Sequence, residues 1–101
     1  AIRAYDPSCI SGYKKLTAAC HRYDCLVFGQ LTHPGREMAE LEDGTSPVAY
    51  APSAIPNERF HVMPRELSEH MIQEIVVGFK ISAQNLKKAR LDGIEIVASH
   101  G

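Results

Sequence analysis

The sequence predicts an α/β fold with parallel strands. Three features carry that expectation: a continuous apolar run at residues 25–31, a long amphipathic helix after Ser68, and a β-branched run at residues 94–98. Two apolar strands joined by a helical crossover form a right-handed βαβ unit, which makes the strands parallel.

The first element is a helix over residues 8–23, where Ile10, Tyr13, Leu16, Thr17 and Cys20 recur at three- and four-residue steps around Lys14 and Lys15. Only Asp24 separates it from Cys25-Leu26-Val27-Phe28-Gly29-Gln30-Leu31. A short unbroken apolar run suits a strand buried on both faces, as in a parallel sheet. Residues 32–65 change character: Pro34, Gly35, Gly44, Pro47, Pro52, Pro56 and Pro64 exclude helix over most of the stretch, leaving room for short strands near residues 47–50. A connection this long is usually functional, as in an active-site excursion.

Ser68 is the expected N-cap of the next helix, with Glu69 at the positive end of its dipole and Lys87, Lys88 and Arg90 at the negative end. Met71, Ile72, Ile75, Val76, Phe79, Ala83 and Leu86 trace its apolar stripe. Asp92-Gly93 is the expected stop, with Gly93 in the left-handed conformation. The second strand, Ile94-Glu95-Ile96-Val97-Ala98, follows, and Glu95 within it reads as an inward carboxylate with a partner in the sheet.

A two-stranded parallel sheet needs further strands and helices to cover its faces and edges. Together with a start that is not Met and an end directly after a strand, this gives the expectation of an internal piece of a larger domain, truncated at both ends across residues 1–101. A small helical binding module, docking through its amphipathic helix, is the alternative from a different functional class. With 45% hydrophobic and 23% charged residues, the composition lacks the signature of disorder. The net charge is -1 and the lysines sit among acids, so no nucleic-acid partner is expected. No apolar run approaches the roughly 20 residues that span a bilayer, so no membrane partner is expected either. Cys9, Cys20 and Cys25 fit neither a paired disulfide framework nor a C-x-x-C motif and read as reduced thiols, consistent with a cytoplasmic parent. His21, His61 and His70 have no ligand spacing, so no metal is assigned.

Gln30-Leu31-Thr32-His33-Pro34-Gly35-Arg36 resembles the Q-L-x-H-x-G-R signature of the old yellow enzyme family, the FMN-dependent NADH:flavin oxidoreductases. Ala51-Pro52-Ser53 resembles that family's A-P-S step, and residues 92–101 resemble its D-G-V-E segment running into H/N-G-Y-L. The three matches fall in family order and cover most of the chain. They are closest in pattern to the dienoyl-CoA reductase, trimethylamine dehydrogenase and N-methylproline demethylase branch.

The resemblance implies a fragment of a TIM (β/α)8 barrel that binds FMN, takes hydride from NAD(P)H or directly from a substrate, and acts on a small organic molecule. It leaves the phosphate-binding loops, and any iron–sulfur cluster, to parts of the protein outside these residues. In the family pattern the Gln of Q-L-x-H contacts the pyrimidine edge of the flavin, a role that passes to Gln30; on spacing alone, a strand-end Gln serves equally well as a cap bonded to water or backbone. The His of H/N-G-Y-L polarises the substrate carbonyl, and His100 stands in that place as the expected catalytic residue. The pattern's second His, three residues earlier, is Val97 here. That departure turns the expected chemistry towards oxidative demethylation of an N-methylated amine, with reduction of activated alkenes as the alternative. His33, Gly35 and Arg36 match the motif, but Pro34-Gly35 reads equally as a turn and Arg36 as a loop anchor through an ion pair.

Overall fold

A computed structural model describes residues 2–39 and 41–99 of the chain. They divide into two compact units, one of residues 2–32 and 74–97 and the other of residues 33–73 with 98–99.

In the first unit, α1 spans Cys9–His21. The chain winds into it through the Asp6 carboxylate, which accepts the Ser8 N–H at 2.9 Å, and through the Cys9 and Ile10 N–H groups bonded to the Asp6 and Pro7 carbonyls. Thr17 is buried on the helix, its hydroxyl donating to the Tyr13 carbonyl at 2.8 Å. At the far end Asp24 takes a left-handed φ of 52°, and the Asp24 and Cys25 N–H groups close back onto the His21 and Cys20 carbonyls. This is the paired-bond C-cap that usually employs glycine.

β1 (Phe28–Leu31) and β4 (Gly93–Ile96) pair in parallel, with Phe28 opposite Gly93 and Gln30 opposite Glu95. The pairing bears out the parallel α/β reading. β1 is shorter than residues 25–31, however, and Leu26 and Phe28 stay 68% and 61% exposed. The reason is that helix α2 (Glu69–Lys88) covers the face of Gly29 and Leu31, while Phe28 and Gln30 point to the other side. A Cβ on Gly29 would stand 2.6 Å from Leu86 Cδ1, so the absence of a side chain is what lets helix and strand approach this closely.

The start of α2 matches expectation: Ser68 Oγ accepts the Met71 N–H at 3.2 Å, and Glu69 lies in the first turn. Its end does not. The left-handed residue is Arg90 (φ 66°), with the Arg90 and Leu91 N–H groups bonded to the Lys87 and Leu86 carbonyls. Gly93 instead lies inside β4, where a Cβ would meet the Phe28 ring at 2.3 Å; it is glycine to make room for an aromatic ring and not to turn the chain.

The apolar stripe holds in most of its positions, with Met71, Ile75, Phe79 and Ala83 half-buried and Leu86 buried. It departs at two positions, Ile72 and Val76, which are exposed, and the covered face also takes in Ser82, Asn85 and Ala89. Two polar residues can occupy that face because each is hydrogen-bonded: Ser82 Oγ to the Gly78 carbonyl at 2.8 Å, and Asn85 Nδ2 to the Ala4 carbonyl at 3.0 Å, which ties down the N-terminal segment.

The second unit has no helix between residues 33 and 65 among the described residues. β2 (Tyr50–Ala51) pairs in parallel with β3 (Arg65–Glu66), and the backbone N–H groups of Arg65 and Leu67 reach the carbonyls of Ala49 and Ala51. Ala49, Ala51, Val62 and Pro64 are buried around this pair. Asn57 organises the turn before it, its side-chain oxygen accepting the Arg59 and Phe60 N–H groups while its amide nitrogen donates to Glu37.

Candidate functional site

The strand pair carries its polar chemistry on the face turned away from α2. Phe28, Gln30, Gly93 and Glu95 share that face, because side chains alternate along a strand and the register sets each pair opposite. Gln30 Nε2 donates to Glu95 Oε1 at 3.2 Å. Glu95 is thereby paired across the strands, with its side chain exposed among the described residues. Gln30 keeps its second amide hydrogen and its carbonyl oxygen unengaged among the described residues. One register step further, the Val97 N–H donates to the Leu31 carbonyl at 2.9 Å, so the ladder continues past β4 to the C-terminal ends of both strands. His100, the expected catalytic residue, lies outside the described residues.

His33 and Arg36 belong to the second unit. The Gly35 N–H donates to His33 Nδ1 at 3.2 Å, which leaves the proton of a neutral ring on Nε2. Gly35 takes a left-handed φ of 58°, and the Glu37 N–H closes onto the Pro34 carbonyl, so Pro34-Gly35 is a turn. The ion pair expected of Arg36 is not found among the described residues, and its buried Nε has no hydrogen-bond partner there.

The opposite ends of the strands hold a cluster with no local signal in the sequence. Asp92 Oδ2 accepts from His21 Nε2 at 2.8 Å and from the Val27 N–H at 2.8 Å, while the Asp92 N–H returns a bond to the Val27 carbonyl. It joins the end of α1 to the starts of both strands across 71 residues of sequence. The His21 hydrogen bond, followed by that of Val27, holds the Asp92 carboxyl below its ordinary value of 3.8. A carboxyl whose folded pKa is depressed adds stability above its unfolded value, and that stability is lost as pH falls from about 3.8 through the lower folded value. Asp92→Asn should therefore flatten the acid limb of the stability curve below pH 4 in urea titrations; an unchanged limb would show that Asp92 contributes nothing there.

No helix among the described residues is long and apolar enough to cross a membrane. No group of three His, Cys, Asp or Glu residues there is arranged to hold a metal.

Parallel strands backed by a helix on one face, with a polar pair near the C-terminal ends on the other, form the layout in which α/β enzymes place their ligand sites. The family model of the NADH:flavin oxidoreductase / NADH oxidase family matches residues 1–101, and the chain belongs to that family. It is 36% identical over 101 residues to an NADH oxidase of Thermoanaerobacter brockii, covering 99% of this chain and 15% of that protein. It is 36% identical over 90 residues to an NADPH dehydrogenase of Clostridium acetobutylicum (89% of this chain, 25% of that one). An NADPH dehydrogenase of Bacillus velezensis is 39% identical over 92 residues (91% and 26%). The chain thus spans between 15% and 26% of the length of these relatives.

Proposed function

We propose that the chain is part of an FMN-dependent, NAD(P)H-oxidising TIM-barrel enzyme, and that Gln30 is a flavin-contacting residue. The observation that carries this reading is the Gln30–Glu95 pair on the face away from α2. In a β/α barrel the helices form the outer layer, so the opposite face is the interior, and the C-terminal strand ends form the ligand-binding rim.

The residues present fit a flavin ring edge. Such an edge offers both donors and acceptors, and a primary amide answers both at once. The bond to Glu95 occupies one amide hydrogen and fixes the orientation of the group, leaving a carbonyl oxygen and a second hydrogen for the ring. When bound, FMN supplies the hydride relay between nicotinamide and a small organic acceptor. Gln30 would orient its ring edge with Glu95 holding Gln30, and the family pattern assigns polarisation of the acceptor's carbonyl to His100. The phosphate-binding loops belong to the rest of the barrel.

The names of the relatives favour nicotinamide as the electron source. They lend no support to oxidative demethylation of an N-methylated amine.

In the full-length protein, Gln30→Ala should weaken flavin retention about 2- to 10-fold, the loss of a typical neutral hydrogen bond of about 0.5–1.5 kcal/mol. Thermal stability should change by no more than the same hydrogen bond is worth, because the side chain's one bond among the described residues is to Glu95. Equilibrium dialysis against free FMN, with NADPH-driven bleaching of the flavin at 450 nm, reads both halves of the reading. Full flavin content and an unchanged reduction rate in the variant would make Gln30 structural only, and wild-type protein that binds no FMN would remove the flavin reading altogether.

A further inference from the structure

The two helices end in the same motif. At the end of α2 the residues that flank the motif are Leu86, whose carbonyl accepts the long closing bond, and Leu91, whose N–H donates it. Their side chains converge: both reach the point where a Cβ of Gly29 would stand, Leu86 Cδ1 at 2.6 Å and Leu91 Cδ2 at 3.0 Å. Contact between these two positions is the usual companion of the motif. At the end of α1 the equivalent positions are Cys20 and Cys25, with the Cys25 N–H bonded to the Cys20 carbonyl at 3.3 Å and left-handed Asp24 between them.

The backbone therefore brings two cysteines to adjoining positions even though five residues of register separate them. With one N–H···O bond joining the two residues, standard bond lengths hold their α-carbons within about 7 Å, and disulfides bridge roughly 4.4–6.8 Å. Both thiols are free; Cys20 is half-buried and Cys25 exposed, with Cys25 Sγ resting 3.8 Å from its neighbour's carbonyl. Cys9 takes no part, since its thiol bonds to the Ala4 carbonyl at the other end of the helix.

We infer that Cys20 and Cys25 form a reversible dithiol–disulfide site that takes low-molecular-weight disulfides as oxidant. The exposed Cys25 thiolate attacks one sulfur of the oxidant, forming a mixed disulfide and expelling the first thiolate, which takes up the proton Cys25 lost. The Cys20 thiolate then attacks the Cys25 sulfur, closing the Cys20–Cys25 bond and releasing the second thiol. Two protein thiols are oxidised to one disulfide, and one oxidant disulfide is reduced to two thiols. Exposed disulfides of this kind are the labile ones that respond to the surrounding thiol pool, as expected of the transient disulfides found in reducing compartments. Closure locks the α1 cap, and with it the backbone that carries His21 to Asp92.

The test uses full-length protein incubated with glutathione disulfide, alkylated, and digested with trypsin without reduction. Cleavage after Arg22 separates the two cysteines into peptides 16–22 and 23–36, so the disulfide appears as those two peptides joined, and dithiothreitol dissolves the link. Cys20→Ser should trap glutathione on Cys25, at least ten times more than wild type retains, while Cys9→Ser should leave the link intact. Circular dichroism of each variant confirms that it is folded. Wild-type protein in which Cys25 carries glutathione and Cys20 stays alkylated, or in which neither thiol reacts, would overturn the inference.

Discussion

Leu86→Ala is expected to cost about 2–5 kcal/mol of folding stability, the range for deleting a fully buried leucine. Leu86 is 2% exposed, and two separate features meet on it. Its carbonyl accepts the closing bond of the α2 cap, and its side chain fills the space above Gly29 beside Leu91. Truncation opens a cavity between α2 and β1 that this backbone cannot close, because β1 is held by its ladder to β4. Urea unfolding of the full-length protein, followed by tryptophan-independent far-ultraviolet dichroism, measures the effect. A loss under 1 kcal/mol, well below that range, would mean that the helix–strand contact is not where the unit's packing energy lies.

Gly29→Ala is expected to cost about 1–3 kcal/mol, from overpacking and not from a cavity. The added methyl would stand 2.6 Å from Leu86 Cδ1 and 3.0 Å from Leu91 Cδ2, and Leu86 is too enclosed to swing aside. The two substitutions should therefore offset one another. In Gly29→Ala/Leu86→Ala the new methyl enters space that the shortened side chain leaves, so the double variant should be more stable than the sum of the single losses by about 0.5–3 kcal/mol. Strict additivity would show that Gly29 is glycine for some reason other than the approach of α2.

The sequence by itself determined the element types, because these follow from local chemistry. Ser68 and Glu69 mark the start of α2 through groups within one turn, the prolines forbid helix over the long connection, and the β-branched run makes β4 a strand. It also placed Gln30 and Glu95 in two parallel strands, and the spacing of Q-L-x-H-x-G-R and D-G-x-E carried the family.

Only the tertiary structure decided what depends on separated residues meeting. The covered side of α2 was set by what packs on it, so hydrogen-bonded Ser82 and Asn85 lie inside while Ile72 and Val76 lie out. Gly93 resembles a helix stop in one dimension and is a seat for Phe28 in three. His21 and Asp92 have no pattern in common, and the Asp24 turn that pairs Cys20 with Cys25 places a left-handed conformation on an ordinary residue. Register and crossover bring such residues together, and neither leaves a periodic trace in the sequence.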